Sequence, residues 1–114
     1  MTGLPPLASD EEIKIVRCAC REGRAFVSRA NRGQTERYLH EVWQTTFARL
    51  REAVAEHIEA RRRVYQKLGD RGLLGLQANV TLYEELDIYV EMRIKGGCVV
   101  ILAAHSHYGT PLPQ

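Results

Sequence analysis

Apolar side chains recur every three or four positions through the first half of the chain and every second position through the last third. The period therefore changes from helical to extended near residue 70. Ser9-Asp10-Glu11-Glu12 carries the signature of a capping box, in which the Ser9 hydroxyl and the Glu12 carboxylate each accept from the other's backbone N–H. Beyond it, Ile13, Val16, Cys20, Gly23, Val27 and Ala30 form one narrow stripe, predicting a helix over 9–30 that stops at Asn31-Arg32-Gly33. Leu39, Trp43, Phe47, Leu50, Val54, Ile58, Val64, Tyr65 and Leu68 keep helical spacing with no Gly or Pro among them. They predict a second helix over 35–68, about 34 residues and about 50 Å long at 1.5 Å per residue. A compact chain of this size has a radius of gyration near 13 Å. Such a rod must either kink or lay part of its apolar stripe on another molecule, most economically a second copy.

From Leu74 to Leu82 apolar and polar residues alternate, as in a strand with one buried face. Asp87–Lys95 and Cys98–Ser106 flank Gly96-Gly97, a two-residue turn that needs positive φ at both positions. On that register Ile94, Met92, Val90 and Ile88 oppose Val99, Ile101, Ala103 and His105. The stretch from Cys98 to Ala104 is apolar on both faces, so it is not expected to be a free edge. Three coverings are open: a helix, an N-terminal segment, or the same strand of another subunit. The expected fold is α+β, with two N-terminal helices, the second long, packed on a small antiparallel sheet that ends in a hairpin. Residues 1–8 form an extended proline-containing arm, 9–108 a single domain, and 109–114 an irregular tail.

The chain has 114 residues, 45% hydrophobic and 26% charged, which excludes a disordered or low-complexity class. No apolar run is long enough to span a bilayer, and the N-terminus lacks the pattern of a signal peptide. Three cysteines without zinc spacing fit a reducing compartment, so a cytoplasmic location with no membrane contact is expected. The net charge of +2 is too small to mark a nucleic-acid binder. Its distribution is uneven: most cations are arginines, and all but Arg93 and Lys95 precede residue 73.

His105-Ser106-His107 is the most suggestive local feature. Two histidines two apart on a strand project to one side, where they can act as acid and base around a phosphate, with Tyr108 as a further proton donor. No third ligand joins them, so no metal and no cofactor are expected. A structural role for the pair is the first reading. Cys18 and Cys20 diverge on a helix and do not share a ligand. His57 and Arg61 are expected at the margin of the long helix, reaching solvent. Arg17, Arg21, Arg24 and Arg32 form a stripe that can follow phosphates, diluted by nearby carboxylates. Gly69, Gly72 and Gly75 lead from helix to strand, the wrong order for a phosphate loop.

Tyr89 to His107, a hairpin whose second strand ends in ionisable residues after two helices, resembles the C-terminal half of small RelE/HigB-type ribonuclease toxins. That resemblance implies RNA cleavage by histidine or basic side chains on a concave sheet. Residues 9–30 read as helix where that family opens with a strand. The leading expectation is therefore a non-enzymatic interaction protein, a structural, adaptor or regulatory component of bacterial or phage type. It is expected to work as a homo-oligomer, or with another protein partner, through Trp43, Phe47, Leu50, Val54, Val100 and Leu102. The alternatives are a metal-independent endoribonuclease using His105, His107 and Tyr108, and a nucleic-acid-binding regulator using the first-helix arginines.

Overall fold

The computed structural model describes residues 3–107 and 109–114. The fold is α+β. Helix α1 (Asp10–Arg21) starts at the expected capping box: Glu12 N donates to Ser9 Oγ at 3.1 Å and Ser9 N to Glu12 Oε1 at 2.9 Å. The helix ends well before residue 30. Gly23 adopts a φ of 78°, and the chain then extends into a short strand, β1 (Ala25–Val27). The apolar residues Val27 and Ala30 thus belong to a strand and to a 3₁₀ turn (Arg29–Asn31), and Asn31-Arg32-Gly33 opens a new helix instead of ending one.

The second rod is also broken. It divides into α2 (Arg32–Arg37), a π-helical turn (Tyr38–Val42), an irregular link, and α3 (Phe47–Glu59). Gln44 takes a positive φ of 50°, and Thr46 caps α3 by accepting from Arg49 N at 3.2 Å. A threonine side chain that satisfies a backbone N–H resets the helix without Gly or Pro. Arg61, at φ 59°, ends the helical run, and Tyr65–Gly69 forms strand β2. Trp43, Leu50 and Val54 are buried in the chain's own core, while Phe47 is half-buried. With the rod folded back on itself the radius of gyration is 13.1 Å.

Strands β3 (Gly72–Tyr83), β4 (Leu86–Lys95) and β5 (Cys98–His105) complete a five-stranded sheet of order β1-β5-β4-β3-β2. The sheet is mixed, not purely antiparallel, because β1 runs parallel to β5. This pairing resolves the strand that is apolar on both faces: β5 is interior, with β1 on one side and β4 on the other. Val100 and Leu102 on it are half-buried. Gly96 and Gly97 both have positive φ, at 59° and 79°, as their turn requires. At the far edge the N-terminal arm lies along β2, with Ala8 N donating to Val64 O at 2.9 Å and Gln66 N to Pro6 O at 2.8 Å.

One face of the sheet meets the helices. Leu76, Ala78, Val80 and Leu82 of β3, Ile88, Val90 and Met92 of β4, and Val99, Ile101 and Ala104 of β5 are buried. Among the described residues no helix is long and apolar enough to cross a membrane.

Candidate active site

The register of β4 and β5 changes part-way along. Ile94 pairs with Val99 and Met92 with Ile101, as the hairpin turn dictates, but Glu91 then pairs with Ala103 and Tyr89 with His105. Leu102 is the extra residue. A one-residue slip exchanges the two faces of every residue beyond it. Ala104 therefore turns into the core in place of Ala103, and His105 leaves the inner face on which the unbulged register puts it. The Leu102 carbonyl left over by the bulge accepts from Asn31 Nδ2 at 2.7 Å.

His105 thereby joins a polar cluster on the face away from the helices. Each of the four long strands contributes: Lys67 from β2, Gln77 from β3, Tyr89 and Glu91 from β4, and His105 from β5. His107 and the tail residues Thr110 and Leu112 complete a hollow of about 470 Å³. The Tyr89 hydroxyl lies 2.9 Å from both Glu91 Oε1 and Gln77 Oε1 and accepts from Lys67 Nζ at 3.2 Å. Lys67 is also ion-paired with Glu91. Gln77 is oriented by its own bond, Nε2 donating to Gln66 O at 2.9 Å. The Tyr89 ring stands 5.1 Å from that of His105 and 6.3 Å from that of His107.

His107 Nε2 lies 2.7 Å from Asn79 Oδ1, and Asn79 Nδ2 donates to the Leu112 carbonyl at 3.2 Å. Further contacts pin the tail across this face. Tyr65 Oη donates to Pro113 O at 3.0 Å, Gln114 Nε2 donates to Asn79 O at 3.0 Å, and Arg62 donates to Gln114 Oε1 at 2.6 Å. His105 Nδ1 donates to the Ser106 carbonyl at 2.8 Å.

These surroundings set the protonation states. Burial, reinforced by the bond to Glu91, pushes the Tyr89 phenol up to about 12, so it stays protonated. Burial pulls Lys67 down, but its bonds to Glu91 and Tyr89 outweigh that and hold its pKa above the ordinary value. Burial, aided by His105 and opposed by Asp87, lowers His107, which is therefore a neutral imidazole at pH 7. The hollow thus combines a neutral base, a charged ammonium and a phenol that retains its proton.

Tyr108 lies outside the described residues. The arginines of the proposed stripe are each matched by a carboxylate: Arg17 and Arg21 by Glu59 at 3.8 and 2.6 Å, Arg24 by Glu22 at 2.9 Å, and Arg32 by Glu36 at 3.0 Å. His57 does not reach solvent. It is 4% exposed, with Nε2 donating to Arg63 O at 2.8 Å, and Nδ1 has no partner. Cys18, Cys20 and Cys98 are free thiols, and burial pushes Cys20 up to about 11. Among the described residues no group of three or more His, Cys, Asp or Glu forms a metal-ligand set.

Sequence reasoning named the histidines but missed Lys67, Gln77, Asn79, Tyr89 and Glu91. A signal for most of them was present: Gln77, Asn79, Tyr89 and Glu91 are the polar members of two alternating strands. Lys67 carried no such signal, because its segment reads as the end of a helix. No protein-family model, curated protein or solved structure matches the chain.

Proposed function

We propose that the chain is an endoribonuclease that works on the polar face of its sheet. In this reading His107 takes the proton from a ribose 2′-hydroxyl, and the 2′-oxygen attacks the adjacent phosphorus. The bond from phosphorus to the 5′-oxygen breaks, and protonated His105 gives its proton to that oxygen. One proton enters the enzyme and one leaves, so the step needs no co-reactant. The products are a 2′,3′-cyclic phosphate and a free 5′-hydroxyl. The Lys67 ammonium and the Tyr89 hydroxyl stabilise the charge that builds on the phosphoryl oxygens.

The observation that carries this reading is the convergence on one hollow of Lys67 from β2, Tyr89 from β4, His105 from β5 and His107 from the segment just after it. Its volume of about 470 Å³ falls within the roughly 300–1,000 Å³ of small-ligand clefts. The test is incubation of the purified chain with single-stranded RNA, followed by analysis of product ends. Cyclic phosphate termini that disappear in a His105→Ala/His107→Ala double variant are the expected result. Intact RNA with the unmodified chain, or equal cleavage by the double variant, overturns the reading.

A second reading, an oligomeric interaction protein, draws its support from the open side of β1, where Phe26 is 53% exposed on an edge strand. Light scattering at micromolar concentration tests it, and a strict monomer counts against it.

A further inference from the structure

The amide of Asn79 has two bonded ends, and together they determine which nitrogen of His107 carries a proton. Its Nδ2 donates to the Leu112 carbonyl at 3.2 Å, and since a carbonyl can only accept, the amide cannot be turned the other way round. Its Oδ1 is then the atom 2.7 Å from His107 Nε2, and an amide oxygen also only accepts. The proton between them belongs to His107 Nε2. Asn79 is itself 5% exposed, with its backbone carbonyl held by Gln114, so its side chain has little room to rearrange.

From this geometry we infer that Asn79 is a positioning residue that locks neutral His107 as the Nε2–H tautomer and leaves Nδ1 as the nitrogen that accepts a proton. The segment 110–114 belongs to the same device, because the Leu112 carbonyl sets the amide and Gln114 anchors the strand behind it. A histidine whose second nitrogen is engaged by a fixed partner keeps one tautomer and one ring orientation. The inference rests on the ribonuclease reading only for its consequence in catalysis; the tautomer itself is a property of the free protein.

The experiment is long-range proton–nitrogen correlation NMR on the uniformly ¹⁵N-labelled full chain near pH 8, with His107 assigned by the signals lost in His107→Gln. The expected spectrum shows a single His107 tautomer, protonated at Nε2 and bare at Nδ1. Asn79→Ala should relax this to a mixture of tautomers. Asn79→Asp keeps an acceptor against Nε2 and adds a negative charge, so it should retain the tautomer while raising the His107 pKa by about one to three pH units. It should also carry the acidic limb of any pH–rate profile upward by the same amount.

A mixture or an Nδ1–H form in the unmodified chain overturns the inference without recourse to any variant. So does an unchanged tautomer in a folded Asn79→Ala protein. Because the spectrum is recorded without RNA, a locked tautomer in a chain that leaves RNA intact would uphold this inference and overturn the enzyme reading alone.

Discussion

Tyr89 and His105 stand opposite one another on β4 and β5 with ring centroids 5.1 Å apart, and they do so only because β5 carries one extra residue, Leu102. Paired without the bulge, the same sequence would point the histidine at the helices and put Ala103 in the place that Ala104 holds in the core. The bulge therefore does two things at once: it completes the apolar layer and brings an imidazole into the polar hollow.

Deleting Leu102 should remove the bulge and keep the pairing beyond it, because Ala103, Ala104 and His105 then follow Ile101 in regular alternation opposite Glu91, Val90 and Tyr89. The loss is the bond from Asn31 Nδ2 to the Leu102 carbonyl, so chemical denaturation is expected to show a cost of about 0.5–1.5 kcal/mol. NMR should show that His105 still contacts the Tyr89 ring; loss of that contact would refute the assignment of Leu102 as the extra residue.

Tyr89→Phe removes a hydroxyl that bridges Lys67, Glu91 and Gln77 but leaves the ring in place. Under the ribonuclease reading the rate of RNA cleavage should fall about 100-fold, the usual effect of losing one donor to a developing oxyanion. Lys67 remains paired with Glu91 in the variant, so its thermal midpoint should move little. Cleavage at the unmodified rate would remove Tyr89 from the chemistry.

Stability should decline on mild acidification because of His57. Burial holds its pKa below the ordinary 6.5, with the bond to Arg63 O opposing that and Arg62 assisting it. Its Nδ1 has no acceptor for a second proton. The unfolded chain thus binds a proton that the folded chain refuses, and the unfolding free energy falls as pH drops from about 6.5 through the lower folded value. His107 is shifted in the same direction and adds to the slope. Urea titrations between pH 8 and pH 5 should show this loss, and a flat profile would contradict the neutral state of both rings.

Gly75 of β3 lies tight against the backbone of β4. A Cβ added there would lie 2.5 Å from the Met92 carbonyl oxygen, a contact with backbone that no rotamer change relieves. Gly75→Ala should cost about 3 kcal/mol, at the upper end of ordinary point substitutions, by pushing two paired strands apart. Gly72→Ala meets nothing within 4 Å, although its φ of 110° still disfavours a side chain. A cost in Gly75→Ala no greater than a few tenths of a kcal/mol would show that the strands yield freely.

Local chemistry alone determined several features. The Ser9–Glu12 cap, the Gly96-Gly97 turn, the alternating strands β3 and β4 and the α+β class all follow from residues close together in the chain, since caps, turns and pleat alternation are local interactions. The need to cover β5 was legible for the same reason: a strand apolar on both faces has no stable place at an edge. The identity of the cover, β1, was hidden, because a three-residue strand has too short a period to separate from a helical stripe.

The tertiary structure decided the rest. Helical spacing continues unbroken from Leu39 to Leu68, yet the cap at Thr46 and the left-handed turn at Arg61 divide that run, and pairing with β3 makes its last part a strand. A helix about 50 Å long could not bury its stripe within a body whose longest extent is 36 Å, whereas folding it back buries Trp43, Leu50 and Val54 together. The hollow depends on contacts still more distant. Lys67 meets Glu91 across β3, a bulge of one residue turns His105 outward, and the tail returns to fix Asn79 against His107. Each is a matter of register between strands, which the free energy of the assembled core selects and which no stretch of neighbouring residues encodes.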